Sequence, residues 1–293
     1  MPDTTYAGLT GVKLQDNASL KIGDHIELRS TYAHLMAPFL MAFARPSPGQ
    51  HHPAPWVAVS GGLGFDIEVE VAVAEELAKD RNVSGGFLAW FIVALLRLRL
   101  GTSFVMPAIG FQHFADAAQL GNQAKLFPAE IEPVHRLLSD NSSREISELD
   151  ARWVEGAFMA SGAMFFNKPA FRVLFEACDQ CCFTKHEGLA LVQLWAGLEA
   201  VFSPDKAELR YRVSSSLASY LEPPGTTRLL LQKRLVKLYD SRSSAAHGRE
   251  GKASVELKDS FAVARRALIR MIDDCKVPSH SELEARVFGA DPT

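Results

Sequence analysis

An arginine and a histidine with four residues between them occupy the segment LYDSRSSAAHG, which runs from Leu238 to Gly248. Arg242 carries a permanent charge and can hold a phosphate group through two parallel hydrogen bonds. His247 belongs to the residue type that titrates near neutrality, which suits proton transfer. RNA supplies its own nucleophile, the 2′-hydroxyl beside the phosphate, so the pair predicts metal-independent phosphodiester chemistry.

Three further side chains of this segment could contact a bound RNA. Ser243 and Ser244 could donate hydrogen bonds to phosphate, and Tyr239 could pack beside the site or stack on a base. A purely structural role is the alternative. In that case the arginine pairs with Asp240 or neutralises the carboxyl end of a helix, and the histidine caps carbonyl groups in the turn.

The spacing alone is not specific, because it recurs elsewhere in the chain. Arg29 and His34 repeat it, and Arg45 precedes the histidines His51 and His52 at a similar distance. Neither pair has a helical pattern around it. We therefore predict that these two pairs take no part in RNA cleavage.

Two amphipathic helices are predicted on either side of the polar turn, between Thr226 and Lys276. Apolar residues recur there at three- and four-residue spacing, which places them on one face of each helix. They are Leu229, Leu230, Leu231, Leu235, Val236, Leu238 and Tyr239 before the turn, and Val255, Leu257, Phe261, Val263, Ala264, Ala267, Leu268, Met271 and Ile272 after it. Arg242 is thus expected at the end of one helix and His247 in the connection to the next.

The segment from about Gly188 to Ile272 resembles the Apea-like branch of the HEPN superfamily. The similarity lies in LWAGLEAVF (Leu194 to Phe202), in the helix around Arg212 and in LYDSRSSAAHG. The resemblance implies a helical bundle that pairs into homodimers and cleaves RNA without a metal ion. It also implies that Arg242 and His247 fill the two functional positions of the Arg-x4-His motif, with Ser243 at a position that is often polar.

Two functions of different classes follow from this resemblance. One is a metal-independent endoribonuclease, a stress or antiphage defence effector by analogy with the family. The other is a non-catalytic HEPN-like module that binds nucleic acid, nucleotide or a partner protein. The two differ in whether purified protein cleaves RNA in the presence of EDTA.

Glu199 lies among apolar residues of the predicted helix Glu187 to Phe202. A buried carboxylate there needs a cationic partner. Arg212 in the following helix is the candidate, and the two would support the site structurally. The alternative is that both side chains are exposed.

Composition and apolar runs favour a cytoplasmic protein of two domains, since 293 residues exceed a typical single domain. The first ten residues lack the basic start and apolar run of a signal peptide. The most apolar stretch, Phe87 to Leu100, is too short to span a membrane and predicts a buried helix. Neither a membrane partner nor a cofactor is expected.

Three of the four cysteines crowd into the segment CDQCC. A metal site would use Cys178, Cys181 and His186, but a second pair of ligands at suitable spacing is lacking. Small buried residues on a helix are the favoured interpretation, so no metal is expected.

Charge is distributed unevenly along the chain. Residues 206 to 276 contain fifteen Lys and Arg and eight Asp and Glu, a net charge of +7. The rest of the chain carries −10, because the whole chain carries −3. This basic segment is either a phosphate-binding surface or a set of solvated helix faces.

The N-terminal part predicts a sheet. In GFDIEVEVAV, Phe65 to Val73 alternate apolar residues with Asp66, Glu68 and Glu70, which are expected on a solvent face. They could instead form a carboxylate cluster for a metal, which is the less favoured alternative.

The fold class is therefore α+β, with a mixed N-terminal α/β region and an all-α C-terminal bundle. The predicted domains are 1–140, of unknown role; bridging helices in 141–186; the HEPN-like bundle in 187–276; and a loosely attached tail in 277–293. Within the bridge, Ser142 and Ser143 predict the start of a helix that reaches about Phe166. Ser203 and Pro204 predict the start of another, from Asp205 to Leu221.

Overall fold

The protein has an α+β fold, as the sequence predicts. Its computed structural model describes residues 3–16, 19–37, 40–43, 49, 56–59, 63–131, 134–136, 138, 144–203, 208–246 and 253–290. The N-terminal half contains an antiparallel six-stranded sheet, and the C-terminal half is helical.

Two compact units make up the chain, and neither is continuous in sequence. The first, here called the sheet unit, comprises Met1–Ala89 and Val105–Ile131. The second, the helical unit, comprises Trp90–Phe104 and Glu132–Thr293. This division differs from the predicted domains, because the predicted bridging helices and tail fall in the same unit as the bundle.

Ten strands lie in the described residues. They are β1 (Thr4–Thr10), β2 (Lys13–Leu14), β3 (Ser19–Ile22), β4 (Ile26–Ala37), β5 (Leu40–Phe43), β6 (Trp56–Val59), β7 (Leu63–Ala74), β8 (Val105–Gly110), β9 (Leu126–Pro128) and β10 (Glu145–Ile146). The main sheet has the order β3-β4-β7-β1-β8-β9, and β5 pairs with β6 as a separate ribbon.

The alternation in β7 produces the predicted strand but not the predicted solvent face. Ile67, Val69, Val71 and Val73 are fully buried, as period two requires. Glu70, however, is only 1% exposed. The prediction of a wet acidic face is therefore wrong at Glu70, because neighbouring residues of the sheet unit cover its carboxylate.

Ten α-helices lie in the described residues. They are α1 (Glu75–Asp80), α2 (Gly85–Leu100), α3 (Ala117–Leu120), α4 (Glu148–Asn167), α5 (Pro169–Gln180), α6 (Glu187–Phe202), α7 (Leu209–Leu221), α8 (Thr226–Ala246), α9 (Ala253–Asp273) and α10 (His280–Phe288). The apolar helix α2 is buried along most of its length, as predicted. Among the described residues, no helix combines the length and the apolar composition that are needed to cross a bilayer.

Two predicted helix starts in the helical unit differ from the structure. α4 begins at Glu148, because Ser147 and Asp150 form the capping box and residues 145–146 form a strand. α7 begins at Leu209, because Glu208 has a left-handed backbone with φ of 53°. Residues 204–207, which were predicted to start this helix, lie outside the described residues.

The expected loose tail contains α10. Ser279 and Glu282 form a capping box at its start, and Leu283 is buried. Arg228 of α8 donates a hydrogen bond of 3.0 Å to the carbonyl of Arg286. The tail is thus attached to the bundle through both apolar and polar contacts.

The helices of the bundle pack closely around α6. α5, α8 and α9 all contact it, and its buried residues include Leu191, Leu194 and Trp195. A side chain at Gly197 would collide with α5, since a Cβ there would lie 2.7 Å from the Cα of Leu174. Glycine therefore permits the approach of α5 and α6.

A buried ion pair ties the Trp90–Phe104 segment to α5 within the helical unit. Arg97 Nη1 lies 3.0 Å from Asp179 Oδ1, and both side chains are almost inaccessible to solvent. Trp90 Nε1 donates to the same carboxylate at 3.2 Å. Arg97 also donates through Nε and Nη2 to the carbonyl of Phe104. These bonds supply most of the hydrogen-bonding capacity that a buried guanidinium and carboxylate require.

Candidate phosphate-directed site around Arg242

Arg242 lies within the last turns of α8, four residues before the helix ends at Ala246. Leu235 and Leu238 are buried, as the apolar pattern predicts, whereas Leu229 and Leu230 of the same pattern are more than half exposed, so the pattern is wrong for the start of α8. The helix continues past Arg242. His247 lies outside the described residues.

The guanidinium of Arg242 is held by Glu199 of α6. Its Nη2 lies 3.1 Å from Oε1 and donates a hydrogen bond of 3.3 Å to Oε2. Both side chains are less than a quarter exposed. The expectation that Glu199 needs a cationic partner is correct, but the cation is Arg242 where Arg212 was predicted.

Arg212 has a different setting on α7. Its side chain lines a groove between α7 and α10, together with Tyr211, Ser215, Ser216 and His280. The sequence interval between Glu199 and Arg212 suggested the wrong partner, because α8 returns along α6 and brings Arg242 to the carboxylate.

Tyr239 supports the guanidinium from one helical turn away. Its ring centre lies 5.5 Å from the Arg242 guanidinium and 5.3 Å from the ring of Trp195. Burial and the nearby Glu199 carboxylate raise the pKa of Tyr239 to about 12, so the hydroxyl is protonated at neutral pH. Because the ring is buried, Tyr239 packs against the site and does not offer a stacking surface for a base.

The serines that follow Arg242 differ in accessibility. Ser244 is exposed and donates a hydrogen bond of 3.1 Å to the carbonyl of Asp240, whereas Ser243 is partly buried. The carboxylate of Asp240 pairs with Arg210 at 3.0 Å. The structural alternative in which Asp240 neutralises Arg242 is therefore wrong.

Arg242 Nε is a buried donor without a hydrogen-bond partner among the described residues. Glu199 Oε1 is also buried and accepts no well-aligned hydrogen bond there, although Arg242 Nη2 lies 3.1 Å from it in the ion pair. Such groups cost free energy unless another group satisfies them. Arg242 Nε can therefore donate a hydrogen bond to a group that does not belong to the described residues.

Arg29 and His34 do not form a shared site. On β4, His34 pairs with Asp66 at 2.8 Å, whereas Arg29 pairs with Glu27 at 2.9 Å. The side chains of Arg29 and His34 thus have different partners. Arg45, His51 and His52 lie outside the described residues.

The cysteines of CDQCC are buried free thiols. Burial raises the pKa of Cys178 and Cys181 far above that of an exposed thiol, and that of Cys182 to about 11. Protonated thiols are poor metal ligands. Groups of three or more His, Cys, Asp or Glu side chains with metal-binding geometry are absent from the described residues.

Comparison of the chain with protein-family models, with curated proteins and with solved structures gives no match.

Proposed function

We propose that the protein is a metal-independent endoribonuclease of the HEPN type, with Arg242 and His247 as its catalytic pair. The observation that carries the proposal is the fixed orientation of Arg242. Glu199 holds one edge of the guanidinium and Tyr239 covers one face. A preorganised cation stabilises developing negative charge more effectively than a mobile one.

Each residue has a distinct task in this scheme. His247 removes the proton of the 2′-hydroxyl, and Arg242 stabilises the charge that builds on the non-bridging phosphate oxygens. The 2′-oxygen forms a bond to phosphorus as the bond to the 5′-oxygen breaks, and the 5′-oxygen takes up a proton. In this scheme Ser243 supplies a hydroxyl group for the phosphate, and Ser244 does so by exchanging its hydrogen bond to the carbonyl of Asp240.

The charge of the surrounding segment supports an anionic substrate. Residues 206 to 276 carry +7 on a chain whose net charge is −3. Arg210 and Arg234 are both more than half exposed on this segment. Exposed cations of this kind attract the RNA backbone from solution.

A homodimer through the helical unit would bring two copies of the site together. Gly188 packs against Ala245 near the end of α8, and the neighbouring Leu189 is 61% exposed. We propose this surface as the dimer contact.

The second candidate is a non-catalytic module that binds nucleic acid, nucleotide or a protein partner. The ion pair with Glu199 favours it, because a guanidinium held by a carboxylate has less charge to offer to a phosphate. In that case Arg242 would stabilise the bundle, and RNA would remain intact.

RNA cleavage by purified protein in EDTA tests the proposal. We expect 2′,3′-cyclic phosphate ends, a loss of about 10²- to 10⁴-fold in His247→Ala and a clear loss in Arg242→Lys. The matched control is Arg152→Lys, an exposed arginine of α4 that pairs with Glu148 and lies outside the basic segment. Cleavage that requires a metal ion and leaves a 3′-hydroxyl contradicts the mechanism, and intact RNA favours the second candidate.

A further inference from the structure

Four polar side chains converge in the sheet unit, separately from the Arg242 site. They are Tyr6 of β1, Arg29 of β4, Glu70 of β7 and His113, which follows β8. The register explains the convergence: Glu70 lies opposite Gly8 on one side and opposite Arg29 on the other. Residues paired across an antiparallel sheet share a face, and Tyr6, two residues from Gly8, lies on that same face.

Glu70 fixes the imidazole of His113. His113 Nδ1 lies 2.6 Å from Glu70 Oε1, and the backbone N–H of Phe114 donates to Oε2 at 3.0 Å. The carboxylate is buried, whereas the imidazole is about one-third exposed. Since Glu70 accepts both bonds, Nδ1 carries a proton and Nε2 faces the other two side chains.

Hydrogen-bond donors around Nε2 exceed its capacity to accept. The Tyr6 hydroxyl lies 3.3 Å from Nε2 and Arg29 Nη1 lies 3.5 Å from it. A neutral imidazole offers one lone pair at this nitrogen, and both contacts are longer than an optimal hydrogen bond. Two donors thus share one acceptor, and an oxygen-rich anion would satisfy both.

A buried apolar cluster of the sheet unit fixes the positions of these polar side chains. Phe114, next to His113, is buried in a cluster with Ile67 and Ala108, and Tyr6 packs against the same cluster. A Cβ at Gly8 would lie 2.9 Å from the Phe114 ring, so glycine leaves the room that this ring occupies. Side chains positioned by a packed core are suited to binding with little loss of entropy.

We propose that Tyr6, Arg29 and His113 form a binding site for the phosphate group of a small ligand, with Glu70 as the residue that orients the imidazole. Arg29 donates through Nη2 to Glu27 at 2.9 Å and offers Nη1 to the anion, and Tyr6 supplies a neutral donor. In its imidazolium form, His113 donates from Nε2 as the third donor, and the Glu70 carboxylate at Nδ1 balances that charge. Three donors from three segments suit the several oxygens of a tetrahedral anion better than the two of a carboxylate. Burial raises the pKa of Tyr6, which keeps its hydroxyl protonated.

The test is a titration of the full chain with inorganic phosphate. The imidazole resonances of His113 in NMR spectra report binding, and calorimetry reports it in the variant that lacks this histidine. We expect saturable shifts, with acetate binding at least several-fold more weakly. His113→Gln and Arg29→Gln should each weaken phosphate binding by about tenfold or more, as expected for the loss of a charged hydrogen bond. A parallel titration with adenosine 5′-monophosphate distinguishes a nucleotide from free phosphate as the preferred source.

Matched controls separate binding from folding. His34→Gln removes another histidine paired with a carboxylate in the same sheet, and Arg152→Gln removes an exposed arginine paired with Glu148. Both should leave phosphate binding within twofold. Tyr6→Phe keeps the ring and its packing, so weaker binding at an unchanged melting temperature supports the site. Unmoved His113 resonances at millimolar phosphate, or equal losses in His34→Gln, would overturn the proposal.

Discussion

Arg242 and Glu199 lie 43 residues apart in sequence, and α6 and α8 bring them into an ion pair of 3.1 Å. The pair sits where the bundle meets solvent, and each side chain retains some exposure. This relationship makes Glu199 the residue that determines how Arg242 is oriented. The relationship can be tested with little change of shape, because glutamine removes the charge of Glu199 and keeps its size.

Glu199→Gln should lower RNA cleavage by about tenfold or more, because the guanidinium loses its charged anchor. The free energy of unfolding should fall by about 1–3 kcal/mol, the usual cost of a weakened charged hydrogen bond. Cleavage kinetics and urea denaturation of the same protein measure the two effects. Asp240→Asn is the control on α8, since its carboxylate pairs with Arg210 and not with Arg242. Full activity in Glu199→Gln would show that the pair does not orient Arg242 for catalysis.

Asp179→Ala should destabilise the helical unit by about 3–5 kcal/mol, because the buried guanidinium of Arg97 loses its counter-charge. Urea denaturation followed by circular dichroism checks this value. Arg152→Ala provides the contrast, since its partner Glu148 is about two-thirds exposed and surface pairs contribute about 0–1 kcal/mol. Similar losses in both variants would mean that burial does not decide the strength of the Arg97 pair.

Gly8→Ala should destabilise the sheet unit by about 1–3 kcal/mol, the usual cost of overpacking. The new methyl group would press on Phe114 and displace the adjacent His113, so phosphate binding should weaken as well. Gly156→Ala is the matched control, because nothing lies within 4 Å of a Cβ at this position in α4. That variant should gain about 0.5–1 kcal/mol through helix propensity. A Gly8→Ala protein as stable as the wild type would contradict the close contact.

Thiol labelling should distinguish Cys275 from the other cysteines. Cys275 is exposed, whereas Cys178, Cys181 and Cys182 are buried with raised pKa values. A thiol reagent at neutral pH should therefore modify one cysteine quickly and the remaining three only after unfolding. Mass spectrometry of the labelled protein identifies the sites. Rapid labelling within CDQCC would show that α5 opens readily in the native state.

The elements that sequence predicts well are those whose signal is local. The alternation of Phe65 to Val73 predicts a strand, and the apolar spacing around Leu235 predicts a helix, because backbone geometry imposes both periods. The start of α4 is misplaced because several serines compete as caps in this part of the sequence. Ser147 is the N-cap of α4, because Asp150 completes its capping box.

The partners of the charged residues could not be predicted, because they depend on chain packing. Glu199 is recognisable as a carboxylate that needs a cation, but nothing local identifies Arg242 as that cation. The pairing of Glu70 with His113 is likewise hidden, since it joins residues 43 positions apart through the sheet order β7-β1-β8. The available signal was weak: a histidine three residues after a buried strand, followed by an apolar Phe114.

The discontinuity of the helical unit affects how the protein can be dissected. A fragment that begins at residue 132 retains Asp179 but lacks Trp90, Arg97 and the carbonyl of Phe104, which complete the buried polar network. Such a fragment would expose an unpaired carboxylate and an apolar cavity, so its failure to fold would carry no information about catalysis. A fusion protein in which a flexible linker joins Trp90–Phe104 to the fragment would restore the missing contacts.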